Sequence, residues 1–200
     1  MRRIALSVLA YVLTLPLLGV ASAHEEGDWI IRVGAHNIDP KSNNSPVVNV
    51  GSEVQLTFDF TYMITDRVGV EILAAAPFEH DLRLTDGTLV ATVEHLPPTI
   101  SLQYRWGENN VQPFFGAGIN YTAFNSETTL GPIAGGNLKL DSSIGLAFQL
   151  GVDFHFSDSM LFTIVARKID IDSDARLNGS LLTKAKIDPT AIGASIGWKF

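Results

Sequence analysis

The stretch Asp170-Ile-Asp-Ser-Asp174 sets carboxylates at alternate positions, the opening of a calcium loop whose first, third and fifth residues share the ion. Ala175 then stands where that loop needs glycine, and Leu181 where it needs a bidentate glutamate, so the stretch reads as a solvated loop. The histidines, His24, His36, His80, His95 and His155, show no metal-ligand spacing, and no metal is expected. Ser101 and Ser143, with His80 or His95 nearby in a loop, are the residue types of a lipid hydrolase or acyltransferase, but no spacing makes them a triad. The chain is therefore not read as an enzyme. Gly116-Ala-Gly118 lies in an extended segment with no helix after it, which excludes a dinucleotide site, and no cofactor is expected. What remains is a set of charges, Arg32, Asp59, Glu71 and Arg105, whose meaning depends on the elements that carry them.

Those elements are strands. Residues 192–200 alternate Ile192, Ala194, Ile196, Trp198 and Phe200 with Gly193, Ser195, Gly197 and Lys199, so one face is apolar up to the terminal aromatic. Residues 54–62 alternate in the same way, as do 29–38, 68–76, 99–106, 111–124, 142–155, 160–169 and the whole of 187–200. Eight segments of about 9–11 residues suit tilted membrane strands. Thr65-Asp-Arg67, Gly107-Glu-Asn-Asn110 and Ser157-Asp-Ser159 are short turns, whereas 39–53, 77–98, 125–141 and 170–186 read as long loops. Short turns at one rim, long loops at the other and aromatics at strand ends predict an all-β fold: an eight-stranded antiparallel transmembrane β-barrel of the Gram-negative outer membrane, its short turns periplasmic. A soluble barrel of lipocalin type shares the parity but not the aromatic terminus or the loop alternation.

The amino terminus agrees. Met1-Arg-Arg3, an apolar stretch to Val20 broken by Pro16, and Ala21-Ser-Ala23 predict a signal peptide over 1–23 and a barrel over 24–200. Losing Arg2 and Arg3 would take the net charge from −7 to −9, a poor match for nucleic acid. With no cysteine, neither disulfides nor thiol chemistry enter.

With the apolar parity facing lipid, the other parity sorts by height. Arg32, Asp59, Glu71, Gln103, Arg105, Gln149, Asp153 and Lys199 fall toward the periplasm, while Ala75, Phe124, Val165, Ile169 and Ala191 fall toward the outside, with Leu73 just below them. Eight strands enclose only enough room for side chains, so Arg32 or Arg105 should pair with Asp59 or Glu71 as a plug beneath an apolar lining. His95-Leu-Pro-Pro-Thr99 puts two residues without ladder donors, Pro97 and Pro98, in the wall, a candidate lateral exit.

Segments 70–80, 95–99, 113–122, 151–153, 170–172 and 188–189, taken in order, resemble the OmpW family of Gram-negative outer-membrane proteins, whose members include an alkane-uptake protein. The resemblance spans essentially all of 24–200. It implies an apolar channel open to the outside, blocked toward the periplasm, that releases small hydrophobic molecules sideways into the membrane. Leu73 matches the family's constriction leucine, and its partner position on the seventh strand carries Arg167 where enterobacterial members carry tryptophan. Expected partners are outer-membrane lipid and lipopolysaccharide, small hydrophobic solutes, and the outer-membrane assembly machinery acting on Phe200. A structural or surface-receptor barrel without transport is the alternative.

Overall fold

In the computed structural model, residues 24–41, 45, 47–75, 78–107 and 110–200 are described. The predicted signal peptide lies outside them. Among the described residues no helix is long and apolar enough to cross a membrane; the crossing elements are strands.

The chain runs β1 (Trp29–Asp39), β2 (Val48–Val50), β3 (Glu53–Met63), β4 (Val68–Ala75), β5 (Phe78–Leu84), β6 (Leu89–Leu96), β7 (Thr99–Arg105), β8 (Val111–Thr129), β9 (Leu138–Leu140), β10 (Ser143–His155), β11 (Met160–Ile169), β12 (Asp172–Leu177), β13 (Ser180–Lys186) and β14 (Thr190–Lys199). Eight of these, β1, β3, β4, β7, β8, β10, β11 and β14, form the barrel, each antiparallel to the next, and β14 pairs with β1 to close it. Closure leaves no sheet edge facing hydrocarbon, where an unpaired backbone amide would be costly.

Burial follows the alternation. In β3, Thr57, Asp59 and Thr61 point into the lumen and are buried, whereas Val54, Leu56, Phe60 and Tyr62 are exposed on the outer wall. Trp29, Tyr62, Tyr104, Trp106, Trp198 and Phe200 are exposed at or beside strand ends, and Tyr121 is exposed midway along β8. Inside, the wall leaves little room. A Cβ on Gly118 would sit 2.0 Å from the Ile100 carbonyl oxygen and 2.5 Å from Ser101 Oγ, and one on Gly193 would meet the His36 ring at 2.3 Å.

The four segments expected as long loops are corrected: they hold β2, β5, β6, the end of β8, β9, β12 and β13. The β5–β6 hairpin lies on β8, which continues five residues past the predicted end at Phe124. β9, β12 and β13 form a small separate sheet. Beyond the bilayer a strand's outer face has no reason to be apolar, so these strands carry no alternation to read. Turn chemistry marked two of them: Asn178 and Gly179 both have positive φ, 52° and 82°, as a two-residue type I′ hairpin requires, and Gly87 does so at 90°. The last strand begins at Thr190 rather than 187, because Asp188 has a φ of 35° and Pro189 has no amide hydrogen. Ile187 packs instead with Ala147, Ile169 and Ile171.

Because the atom nearest a Cβ at position 118 is backbone, Gly118→Val should destabilise the barrel by about 3 kcal/mol. Urea titration in lipid vesicles, read by heat-modifiable gel migration, checks this, and Ile119→Val on the exposed outer wall should change the midpoint little.

Candidate functional site

The lower lumen is filled by a continuous polar network. Asp153 Oδ2 accepts from Arg32 Nη2 at 2.9 Å and from Arg105 Nε at 3.3 Å, and Asp153 Oδ1 accepts from the Thr163 hydroxyl at 2.6 Å. Arg32 also donates to Thr61 and Thr163. The Arg105 guanidinium donates to Gln103 and lies 5.1 Å from the Phe114 ring centroid. Gln103 donates to Glu71 Oε2 at 2.6 Å, and Gln149 donates to Glu71 Oε1 at 3.0 Å. Arg167 crosses the lumen to reach Glu71 at 2.6 Å, Asp59 at 2.9 Å and the Gln149 carbonyl oxygen at 2.9 Å. Arg32, Arg105 and Arg167 thus face Asp59, Glu71 and Asp153, and every one of the six is buried. A set balanced in charge and heavily hydrogen-bonded is how ions survive without water.

The pairing differs from the one expected. Arg32 and Arg105 share Asp153, whereas Asp59 and Glu71 are both held by Arg167. Although Arg32 is opposite Asp59 in the β1–β3 register, its guanidinium reaches across the lumen to Asp153 on β10. Arg167, expected as one side of a constriction, is tied into the plug. Leu73, Arg167 and Ile169 line one cleft together with Thr99 and Gln149, and that cleft has ≈ 0 Å³ of free space for water.

Above it lies an apolar pocket with ≈ 40 Å³ of free volume. Its walls come from the strands outside the barrel: Val50 of β2, Leu82 of β5, Val90 and Val93 of β6, Leu138 and Leu140 of β9, Ala175 of β12 and Leu182 of β13, with Ile187 beneath. Phe124 is the one expected lining residue that borders it. Ile169 packs with Ile171 and Ile187 below the pocket, Val165 and Ala191 are buried lower in the barrel, and Ala75 is half-buried opposite Thr57. Sequence reasoning missed most of the lining because the strands that supply it read as loops.

His80 is the one titratable side chain lining the pocket among the described residues. Burial pushes its imidazole below the ordinary value of 6.5, against the opposing effects of Glu53, the Gly51 backbone and Asp81. At the opposite mouth His24 precedes β1, and burial lowers its imidazole to about 4 despite a hydrogen bond with Asp153.

Pro97 and Pro98 separate β6 from β7, which lie end to end along β8. On their other side the described ladder stops at Leu73 opposite Thr99 and resumes at Phe78 opposite His95. On the β8 side the Tyr121 amide donates to the Pro98 carbonyl at 3.0 Å, and Asn120, fully buried, holds the same stretch: its Nδ2 donates to the Pro97 and Pro98 carbonyls at 3.3 and 3.2 Å and to Thr99 Oγ1 at 3.0 Å. The acidic stretch near Asp170 forms part of β12, where Asp172 and Asp174 pair with Lys184 and Arg176.

A closed barrel with an apolar outer wall, aromatic rims and a charged, filled lumen defines a transmembrane β-barrel protein of the outer membrane. The OmpW family matches residues 25–200, and the chain belongs to that family. It is 36% identical over 209 residues to outer membrane protein W of Escherichia coli (strain K12), covering 98% of this chain and 99% of that protein. The crystal structure of the outer membrane protein OprG from Pseudomonas aeruginosa superposes with a TM-score of 0.79 at 34% identity, covering 90% of this chain and 99% of that one. Outer membrane protein AlkL of Ectopseudomonas oleovorans is 23% identical over 198 residues, covering 88% and 84%. The protein is thus a resident of the Gram-negative outer membrane.

Removing Arg167 strands Asp59 and Glu71 in the lumen, so Arg167→Met should cost about 3–5 kcal/mol in urea unfolding. Adding Glu71→Gln, which lowers the uncompensated charge, should recover a substantial part of that loss. For His80, a folded value below 6.5 means that its contribution to stability is present above that pH and is lost as pH falls through 6.5, where only the unfolded segment binds the proton readily. Amide exchange across 78–96, corrected for intrinsic rate, should accelerate on acidification, and His80→Leu should remove that part of the response.

Proposed function

We propose that the protein is a passive route for small hydrophobic molecules across the outer membrane, taken up from outside through the apolar pocket. The observation that carries this reading is the composition of that pocket, apolar on nearly every side and standing directly over a neutral ionic plug. A solute gains about 0.8 kcal/mol for each methylene it buries there. The charged surface of lipopolysaccharide offers no such gain, so the pocket supplies a path across a layer that apolar molecules cross poorly. The plug opposes onward passage into the periplasm, because opening it would expose six paired ions. Exit is sideways: beneath the pocket Leu73 and Arg167 form the constriction, and Pro97 and Pro98, which bring no amide hydrogen to the wall, mark the way toward lipid, with Asn120 holding their carbonyls. Membership of a family that includes AlkL supports the same reading.

The test is uptake of an alkane or fatty-acid methyl ester by cells lacking a barrel of this family, with and without this protein, beside a hydrophilic sugar. Faster entry of the apolar solute alone is the expected result; no change in either solute would favour a structural or surface-receptor barrel. Leu73→Arg should abolish the gain while heat-modifiable folding persists, and unchanged uptake in that folded variant would refute the assigned path.

A further inference from the structure

Between the apolar pocket and the ionic plug, the lumen carries a row of buried, uncharged polar side chains on its β7–β8 side: Thr99, Ser101, Asn120 and Thr122. Thr99 and Ser101 line the cleft under the pocket, which they share with Leu73, Ala147 and Ile169. The hydrogen bonds within the row have a fixed direction. Asn120 must turn Nδ2 to the Pro97 and Pro98 carbonyls, because its amide oxygen could not bond them, and the same Nδ2 donates to Thr99 Oγ1 at 3.0 Å. Asn120 Oδ1 then accepts from the Thr122 hydroxyl at 2.7 Å. Thr99 therefore accepts from Asn120 and keeps its own hydrogen to give, whereas Thr122 has given its hydrogen and keeps acceptor capacity. One end of the row donates and the other accepts.

We infer that the route proposed above prefers an apolar chain ending in a hydroxyl group, a medium-chain primary alcohol, over the plain alkane; the inference rests on that route. A hydroxyl can accept from Thr99 and donate to Thr122, whereas an ether oxygen only accepts and an alkane does neither. Taking a hydroxyl out of water without partners is costly, so a passage that offers both bonds carries a solute that a wholly apolar one would reject. The row also selects a neutral head. Arg167, which borders the same cleft, already faces two carboxylates, Asp59 and Glu71, so an anionic head such as that of a fatty acid finds no unpaired cation there. The length fits as well. Phe124 borders the pocket four residues beyond Asn120 on the same strand, about 13 Å away. A solute with its head at Asn120 therefore still has its tail among Phe124, Val50 and Ile187, with Ile169 and Ile171 alongside. The cleft holds ≈ 0 Å³ of free space, so the row meets a solute in passage, and its effect is read in uptake. Asn120 ties the row to the Pro97–Pro98 stretch, where the hydroxyl is released toward the interface.

The experiment measures entry of radiolabelled 1-decanol and n-decane into cells lacking a barrel of this family, with and without the full chain, and with Thr99→Val, Thr122→Val and Thr99→Ser, each shown to be folded by heat-modifiable gel migration. Expected are a larger protein-dependent gain for decanol than for decane, and a decanol-to-decane ratio lowered about fivefold in each valine variant, as the loss of one hydrogen bond predicts. Thr99→Ser, which restores the hydroxyl, should restore the ratio, and 1-methoxynonane, an ether of the same length, should gain less than decanol. Entry of both solutes at a ratio that neither folded valine variant changes would overturn the inference and leave the route standing. No protein-dependent entry of either solute would overturn both.

Discussion

A hydrocarbon layer offers no partner to a backbone amide, and most of this molecule follows from that one constraint. The strands must pair on both sides, which forces the sheet to close, and closure with eight strands turns every second side chain into a space only wide enough to be filled. The fill is polar because the outward parity has taken the apolar residues. Once polar, it must also be balanced in charge and heavily hydrogen-bonded, which is why arginines and carboxylates from β1, β3, β4, β7, β10 and β11 converge there. Glycines at 118 and 193 belong to the same constraint, yielding volume to side chains from neighbouring strands.

Above the bilayer the constraint lapses and a different one takes over. Water satisfies exposed backbone there, so strands need only one covered face, and the chain uses that freedom to fold its connections inward as a hood. Leu82, Val90, Ala91, Val93 and Leu138 form a core that belongs neither to the membrane nor to the lumen. The apolar pocket is the incompletely filled centre of this hood, which explains why it lies over the plug and not within the barrel.

The barrel was legible in the chain because lipid on one face and a lumen on the other impose period two, and all eight crossing strands show it. The polar filling was legible as a set, since parity alone sends Arg32, Asp59, Glu71, Arg105 and Asp153 inward. Their partners were not: register predicts neighbours along the wall, whereas Arg167 and Arg32 reach across the lumen, over distances that no pattern along one strand encodes. The hood was missed for the converse reason. Segments such as Asp172–Leu177 bury Ser173 and Ala175 while leaving Asp172, Asp174 and Arg176 half-buried, a contrast too weak to separate from a loop, although Asn178-Gly179 and Asp86-Gly87 were turn signals in plain view.

The length of β8 has its own consequence. Nineteen residues run unbroken from the periplasmic rim to the top of the hood, with β10 paired to the lower part and β6 to the upper. Hood and wall are therefore one mechanical piece, and a graft of foreign sequence will be accommodated according to whether it lengthens a tip or splits a stem. The bends at Asp86-Gly87 and Asn178-Gly179 can lengthen without disturbing a ladder, so a displayed epitope would sit there at no expense to the barrel, whereas the same epitope at 125–129 would cut the beam that holds both storeys together.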